Sequence, residues 1–219
     1  MIGLEKIMKR IFSVLVLFVL SVSLYGQEKD PKAVLDKMSS VYKAMPGYNI
    51  AFVQKVMSEG EVIDLMNGSA SVSNDKFVLK FQEQHIYCNG PVLWTYLVEA
   101  QELTISNFEP EGQMVNPANI YDIYKEGFTF KYLRQDDVKG EMVDVVELTS
   151  TDPDADFTNI IMYIGQKDGY LKAWDLVDYA GAMSSFEVSN FEPNKTFPDK
   201  FFEFDREANP VQYEEDLRN

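Results

Sequence analysis

The stretch HIYCNGPVLWTY, residues 85–96, gives the clearest sign of how this chain folds. Asn89-Gly90 is a dipeptide typical of a tight β-hairpin turn, because both residues tolerate the positive φ that such a turn requires. Val92 to Tyr96 is then rich in β-branched and aromatic residues, a composition typical of a strand. The stretch therefore predicts two antiparallel strands joined by a short turn.

The same stretch holds the only histidine and the only cysteine of the chain, His85 and Cys88. A zinc site needs three or four protein ligands, and one His and one Cys cannot supply them without several carboxylates. On a strand, residues three positions apart point to opposite faces, which separates the two side chains. No Gly-x-Ser-x-Gly motif offers a serine nucleophile. We therefore predict neither a catalytic centre nor a metal site here.

Strand patterns continue on both sides of this hairpin. Upstream, Phe77, Leu79 and Phe81 share one face of a strand, and the region from Tyr48 to Phe108 predicts six strands with tight turns. Five further strands are predicted at Phe128–Arg134, Met142–Leu148, Phe157–Ile164, Tyr170–Asp178 and Met183–Val188. About ten or eleven strands in succession predict a mainly β protein with a strongly curved antiparallel sheet, and a large curved sheet can enclose a cavity.

Two helices are predicted outside the sheet. Asp30-Pro31 is an N-cap followed by a proline at the first helical position, and Pro46-Gly47 ends the apolar periodicity that follows. Leu35, Met38, Tyr42 and Met45 lie on the apolar side of this helix. Asn116-Pro117 repeats the cap, and a short helix carrying Ile120 and Tyr124 should end at Gly127. We expect these helices to cover the mouth of the curved sheet.

The ends of the chain predict three sections. Residues 1–26 have a basic segment, a short apolar run and small residues before Gln27, which is typical of an export signal peptide. Residues 27–205 show no linker and are predicted to form a single domain. Residues 206–219 are polar and acidic, and we expect a loose tail there.

The composition excludes several classes of function. The formal net charge is −15 at pH 7, and nucleic acid requires a basic surface instead. Asp152, Asp154 and Asp156 have the spacing that opens a calcium loop, but no glycine occupies the sixth position and Tyr163 stands where a bidentate Glu belongs. We predict an acidic hairpin loop and no cofactor.

Several motifs of the chain resemble the outer-membrane lipoprotein carrier (LolA) family. The first helix leads into YNIAFVQKV, residues 48–56, which is similar to that family's Phe-x-Gln strand, and NGPVLWTY, residues 89–96, resembles its Leu-Trp-x-Tyr hairpin. The Asn-Pro segment at 116–126 matches the position of its lid, and Asp168-Gly169 with the strands to Phe204 matches its C-terminal third.

The resemblance implies an unclosed β-barrel with a helical lid over a hydrophobic cavity, and no enzyme activity. It implies a periplasmic, monomeric carrier that takes acylated lipoproteins from an inner-membrane ABC-type release complex; it leaves the outer-membrane acceptor open. An exported binding protein of the same fold for free fatty acids or other lipids is the first alternative, and an exported hydrolase using carboxylates is the second.

The predicted cavity and lid residues combine the apolar strand faces with the apolar sides of the two helices. They are Leu35, Met38, Tyr42, Met45, Phe52, Phe77, Leu79, Phe81, Trp94, Tyr96, Ile120 and Tyr124. One departure from the family concerns the turn Ser73-Asn74-Asp75, where family members commonly carry an arginine that holds the lid by hydrogen bonds. This chain has no arginine there.

Overall fold

The computed structural model describes residues 29–58, 60–109 and 116–218. The predicted signal peptide, residues 1–26, lies outside the described residues. Pro31–Asn219 forms one compact unit. Within the described ranges, every helix is too short or too polar to cross a membrane.

In the described residues of this unit, the main elements are one α-helix and one twelve-stranded sheet. The helix α1 is Pro31–Lys43. The strands are β1 Tyr48–Ser58, β2 Glu61–Ser73, β3 Lys76–Lys80, β4 Gln84–Cys88, β5 Val92–Leu97, β6 Glu102–Asn107, β7 Phe128–Val138, β8 Glu141–Ser150, β9 Asn159–Gly165, β10 Leu171–Val177, β11 Met183–Glu192 and β12 Tyr213–Asp216.

The sheet is antiparallel almost throughout and does not close into a barrel. Its order is β12-β6-β5-β4-β3-β2-β1-β11-β10-β9-β8-β7, so β12 and β7 are the two end strands. β1 pairs with β2 on one side and with β11 on the other, which joins the two meanders into one sheet. The mainly β, unclosed architecture is confirmed, with twelve strands where the sequence predicts ten or eleven.

The additional strand comes from the predicted loose tail, and that expectation is wrong for residues 213–216. They pair in parallel with β6, and the Leu217 amide donates to the Ile105 carbonyl at 2.8 Å. The tail satisfies backbone groups that β6 would otherwise leave open at the end of the sheet. Since the side chains of β12 are all exposed, no apolar alternation marks this strand in the sequence.

The second predicted helix is also different from the expectation. Asn116 caps as predicted, with its side-chain oxygen accepting from the Ala118 amide at 2.8 Å and its carbonyl accepting from the Ile120 amide at 3.2 Å. Turns follow, and then a 3-10 helix at Ile123–Lys125. Gly127, with φ +76°, leads into β7. We call residues 116–126 the covering segment, and α1 is the only α-helix in the described residues.

The two faces of the sheet carry different clusters. The concave face holds the main core, which includes Phe77 together with its cross-strand neighbour Cys88. Trp94 lies on the convex face, because it pairs with Tyr87 and belongs with Val78 to an outer cluster. Cross-strand neighbours share a face, so the register of β3 to β5 turns Phe77 and Leu79 inward and Val78 outward.

The predicted placement of Trp94 and Tyr96 on a shared concave wall is therefore wrong. Phe204, from the chain after β11, packs against both outer clusters, and its ring lies 5.1 Å from that of Tyr96. The Tyr96 hydroxyl donates to the Pro210 carbonyl at 2.7 Å. Tyr96 and Phe204 therefore hold the C-terminal segment to the convex face.

Candidate ligand-binding cavity

A cavity of about 340 Å³ lies inside the concave face, and its walls are mostly apolar. Six of the predicted residues line it: Tyr42, Phe52, Phe77, Leu79, Phe81 and Ile120. Period-two alternation on β1 and β3 places the phenylalanines and Leu79 on one wall. Tyr42 comes from the C-terminal half of α1, and Ile120 comes from the covering segment.

Other predicted residues lie beside the cavity rather than in its wall. Leu35 and Met38 are fully buried in the main core, and Tyr124 is buried in the same cluster. Met45 is half-buried and packs against that cluster. The apolar side of α1 is therefore mainly a packed part of the core, and Tyr42 alone extends from the helix into the cavity wall.

Several lining residues were missed by the sequence prediction. They are Tyr48, Ile50, Ala70, Ile86, Phe157, Leu171, Trp174, Leu176 and Phe186. Trp174 and Phe186 alternate correctly on their own strands, but only the pairing of β10 with β11 shows that they are cross-strand neighbours. That register is a long-range property, and the sequence pattern alone could have identified them only as core.

An aromatic cluster forms one wall of the cavity. The Phe52 ring contacts Phe81, Trp174 and Phe186 with centroid separations of 5.7 to 5.9 Å. Gly68 on β2 makes this possible, because a Cβ at that position would lie 2.4 Å from the Phe52 ring. The missing side chain gives the ring its space across the strand.

The two ends of the cavity differ in polarity. At the end near α1, the Tyr48 hydroxyl donates to the Pro117 carbonyl at 2.7 Å, and the Tyr42 hydroxyl accepts from the Leu171 amide at 3.2 Å. Burial raises the pKa values of both tyrosines, so both hydroxyls stay protonated. At the other end, Gln54, Gln84 and Asp156 line the wall.

A polar cluster ties the covering segment to α1. Asp122 accepts a hydrogen bond from the Ser39 hydroxyl and forms ion pairs with Lys43 at 2.5 Å and Lys125 at 2.7 Å. Burial opposes ionisation of Asp122, but the hydrogen bonds from Lys125, Lys43 and Ser39 outweigh it and lower the pKa of the carboxyl. We call these four residues the Asp122 cluster.

A second contact lies next to the Asp122 cluster. The Tyr124 hydroxyl donates to Asp36 on α1 at 2.6 Å. Burial and the hydrogen bond to Asp36 raise the pKa of Tyr124 to about 12, so the hydroxyl is a donor at neutral pH. The Tyr121 ring stacks on Tyr42 with a centroid separation of 5.1 Å. The covering segment is thus fastened by side chains rather than by a continuous helix.

His85 and Cys88 lie on opposite faces of β4, as predicted. Cys88 is in the main core, where burial raises the pKa of the thiol to about 11 and keeps it protonated. The His85 ring faces Tyr96 on the convex side at 6.4 Å. Among the described residues, no group of three or more His, Cys, Asp or Glu side chains could hold a metal ion.

Comparison with known proteins gives a family for this chain. The family model for the outer membrane lipoprotein carrier protein LolA matches residues 44–205. The chain belongs to the LolA family. An outer-membrane lipoprotein carrier protein of Legionella pneumophila (strain Corby) is 22% identical over 192 residues, covering 86% of this chain and 93% of the relative. Both the matched family and this relative are named as carriers.

A solved structure shares the fold of this LolA-family chain. A conserved protein from Thermus thermophilus matches with a TM-score of 0.57 at 13% identity, covering 87% of this chain and all of the other. A LolA superfamily protein from Nitrosomonas europaea matches with a TM-score of 0.44 at 13% identity, covering 79% and 97% of the two chains.

The contacts of the covering segment involve no arginine from the turn between β2 and β3. The turn between β2 and β3 contains Asn74, with φ +54°, and no arginine. The Ser73 hydroxyl instead donates to the Pro46 carbonyl at 2.8 Å, next to the start of β1. The side-chain contacts between the covering segment and α1 include those of the Asp122 cluster and of Tyr124.

Proposed function

We propose that this protein is a periplasmic chaperone that binds the acyl chains of lipoproteins in its cavity and carries them from the inner to the outer membrane. The observation that carries this proposal is the apolar cavity between the concave face and a separately fastened covering segment. Membership of the LolA family supports the same conclusion.

The energetics of an acyl chain explain why such a carrier is needed. Transfer of one methylene from an apolar environment to water costs about 0.8 kcal/mol, so a long chain leaves a membrane slowly without an apolar acceptor. The cavity offers aromatic and aliphatic contacts in place of lipid, through residues such as Phe52, Leu79 and Phe81. Binding there lowers the cost of the aqueous crossing.

The size of the cavity implies that it expands when cargo enters. A volume of about 340 Å³ is near the lower end of the range of roughly 300–1,000 Å³ for small-ligand sites. A lipoprotein with several acyl chains needs more space than this. We expect the covering segment to move outward, with acyl methylenes replacing the contacts that Ile120 and Tyr121 make in the closed state.

The proposed partners follow from the family and from the charge. Acylated lipoproteins are the cargo, an inner-membrane ABC-type release complex is the donor, and the outer-membrane acceptor is left open. We propose export through residues 1–26 and a monomeric carrier domain spanning 27–205. The acidic composition of the chain argues against nucleic acid as a partner, and the proposal requires no cofactor.

Mass spectrometry of the molecules that co-purify with the protein from the cell envelope tests the proposal. Acylated polypeptide bound to the wild type, and lost from Leu79→Glu, is the expected result. Free fatty acid or phospholipid in its place would identify the alternative lipid-binding function. If nothing apolar is bound, and a hydrophobic dye also fails to enter the cavity, the carrier proposal is wrong.

A further inference from the structure

The inference concerns the polar end of the cavity. Gln54 is the last residue of β1 that lines the cavity, and it pairs with Phe186 of β11. Gln84 is the first residue of β4. Asp156 lies on the loop between β8 and β9, just before Phe157. All three side chains line the cavity.

Strand direction places these three residues at the same end. β1 runs from Tyr48, near α1, toward Gln54. The Phe81 amide donates to the Gln84 carbonyl at 2.8 Å, which places Gln84 beside Phe81. The Thr158 amide, two residues after Asp156, donates to the carbonyl of Val177 at the end of β10. These positions are all far along their strands from the end that α1 covers.

The polar groups at the two ends are engaged differently. Near α1, the hydroxyls of Tyr42 and Tyr48 and the side-chain oxygen of Asn116 already have backbone partners. At the other end, Gln54, Gln84 and Asp156 make no side-chain hydrogen bond or ion pair with any other described residue. No described residue therefore occupies the donors and acceptors that these three side chains present to a ligand.

The chemistry of these side chains selects the polar group of the ligand. Each glutamine amide offers both donors and an acceptor, which complements the N–H and C=O of an amide linkage. Asp156 is an exposed carboxylate at the rim, and it repels a second carboxylate. A free fatty acid would place its own negative charge beside Asp156, whereas an amide-linked acyl chain is uncharged there.

We propose that the cavity binds an acyl chain with its methyl end toward Tyr42 and Tyr48 and with an amide linkage at Gln54, Gln84 and Asp156. The site thereby discriminates against free fatty acids and in favour of chains attached to a polypeptide. This rests on the proposed carrier function and names the ligand class of the same cavity. The cargo polypeptide leaves the cavity at the end opposite to α1.

Competition binding with two ligands of equal chain length tests the proposal. Dodecanoyl-glycinamide and dodecanoate displace a hydrophobic dye from the purified full chain at neutral pH and low salt, and the ratio of their affinities is measured. We expect the wild type to prefer the amide, and Asp156→Asn to reduce that preference about fivefold, the factor that Coulomb's law gives for unit charges about 4 Å apart in water. Added salt should reduce the preference of the wild type as well.

Asp154→Asn is the matched control. Asp154 lies two residues away on the same loop, is exposed and does not line the cavity, so its removal changes the net charge equally. It should keep the wild-type ratio. A double variant, Gln54→Leu with Gln84→Leu, should weaken binding of the amide relative to that of the dye twofold to tenfold, the loss of about one typical hydrogen bond.

The outcomes separate this inference from the proposed function. If both ligands bind but Asp156→Asn and Asp154→Asn give the wild-type ratio, the orientation and selectivity proposed here are wrong while acyl binding stands. Preference for dodecanoate in the wild type would overturn the inference in the same way. If neither ligand nor dye binds, the carrier proposal itself fails.

Discussion

The concave face has a filled half and a hollow half, and large apolar side chains face inward in both. On β8 and β9, Leu148, Ile160 and Met162 are completely buried in the main core, together with Leu35 and Met38 of α1. On β1 and β3, and just beyond β3, Phe52, Leu79 and Phe81 face the cavity. The presence of large apolar side chains does not distinguish the two halves. The difference comes from what lies over each of them.

The length of α1 explains why one half stays hollow. A helix of 13 residues is about 20 Å long at about 1.5 Å per residue. Neighbouring strands lie about 4.8 Å apart, so such a helix covers at most about four of them. Among the described residues, the rest of the concave face is covered by residues 116–126, which consist of turns and a 3-10 helix rather than a continuous α-helix.

The largest expected difference between the halves is in stability. Leu148→Ala should lower the free energy of unfolding by about 2–5 kcal/mol, because it opens a void in a packed core. Leu79→Ala should cost about 1 kcal/mol, since one side of Leu79 already faces empty space. Urea denaturation of both variants measures the difference. Equal losses would mean that the cavity wall is as tightly packed as the core beneath α1.

Ligand binding, unlike stability, should be more sensitive to substitutions in the hollow half than in the filled half. Leu79→Glu places a charge in the apolar wall and should weaken binding of a hydrophobic dye by about tenfold or more, because a buried charge is costly. Lys80→Glu is the control, since Lys80 is the next residue on β3 and is exposed on the other face. Retained binding in a folded Leu79→Glu variant would show that the dye binds elsewhere.

The strand faces could be predicted from the sequence only within single strands. Phe77, Leu79 and Phe81 share a face by period-two alternation, and the structure places all three on the cavity wall. Which face is concave depends on pairing between strands and on the segment that covers the other face. The sequence pattern assigns Trp94 and Tyr96 to the cavity because nothing local shows that Phe204, far later in the chain, packs on them from outside.

The lid contacts were beyond sequence prediction for a similar reason. Ser39, Lys43 and Asp122 are ordinary surface residue types, and the sequence separation of Ser39 and Asp122 is 83 residues. The missing arginine at residues 73–75 was visible, but its replacement depends on how residues 116–126 lie against α1. Local patterns correctly gave the cap at Asn116 and the apolar side of α1.

The covering segment should open more readily when the Asp122 cluster is broken. Asp122→Asn removes two ion pairs, and partly exposed networks of this kind contribute up to about 1 kcal/mol, so hydrogen exchange in residues 118–125 should accelerate about fivefold. Asp136→Asn is the control, because Asp136 forms a similar pair with Arg134 on β7. Unchanged exchange in Asp122→Asn would mean that the ion pairs of Asp122 do not hold the segment, and that its other contacts, such as the hydrogen bonds of Tyr124 and Tyr48, do.

The Asp122 cluster should make the stability of the protein depend on pH. Hydrogen bonds lower the pKa of Asp122 in the folded protein despite its burial. The contribution of Asp122 to stability is therefore fully present above the pKa that an aspartate has in the unfolded chain, about 4. It is lost as the pH falls through the lower folded value. The difference in urea midpoint between wild type and Asp122→Asn should therefore be constant near neutral pH and shrink below about pH 4. A difference that persists in acid would have another cause.

The smallest effect on binding is expected from substitutions of Cys88 and His85, which lie on opposite faces of β4. Cys88 is buried beside Phe77 but does not line the cavity, and its sulfur lies 3.9 Å from the carbonyl oxygens of Asp75 and Gly90. Cys88→Ser gives a hydroxyl with two acceptors nearby, so the stability loss should be modest.

His85→Asn changes only the convex face. Since burial lowers the pKa of His85, the ring is neutral at pH 7 and its loss removes no charge. Both variants should bind dye and acyl peptide as the wild type does; a loss of binding without a loss of stability in either one would show that this hairpin has a role in cargo exchange that its geometry does not reveal.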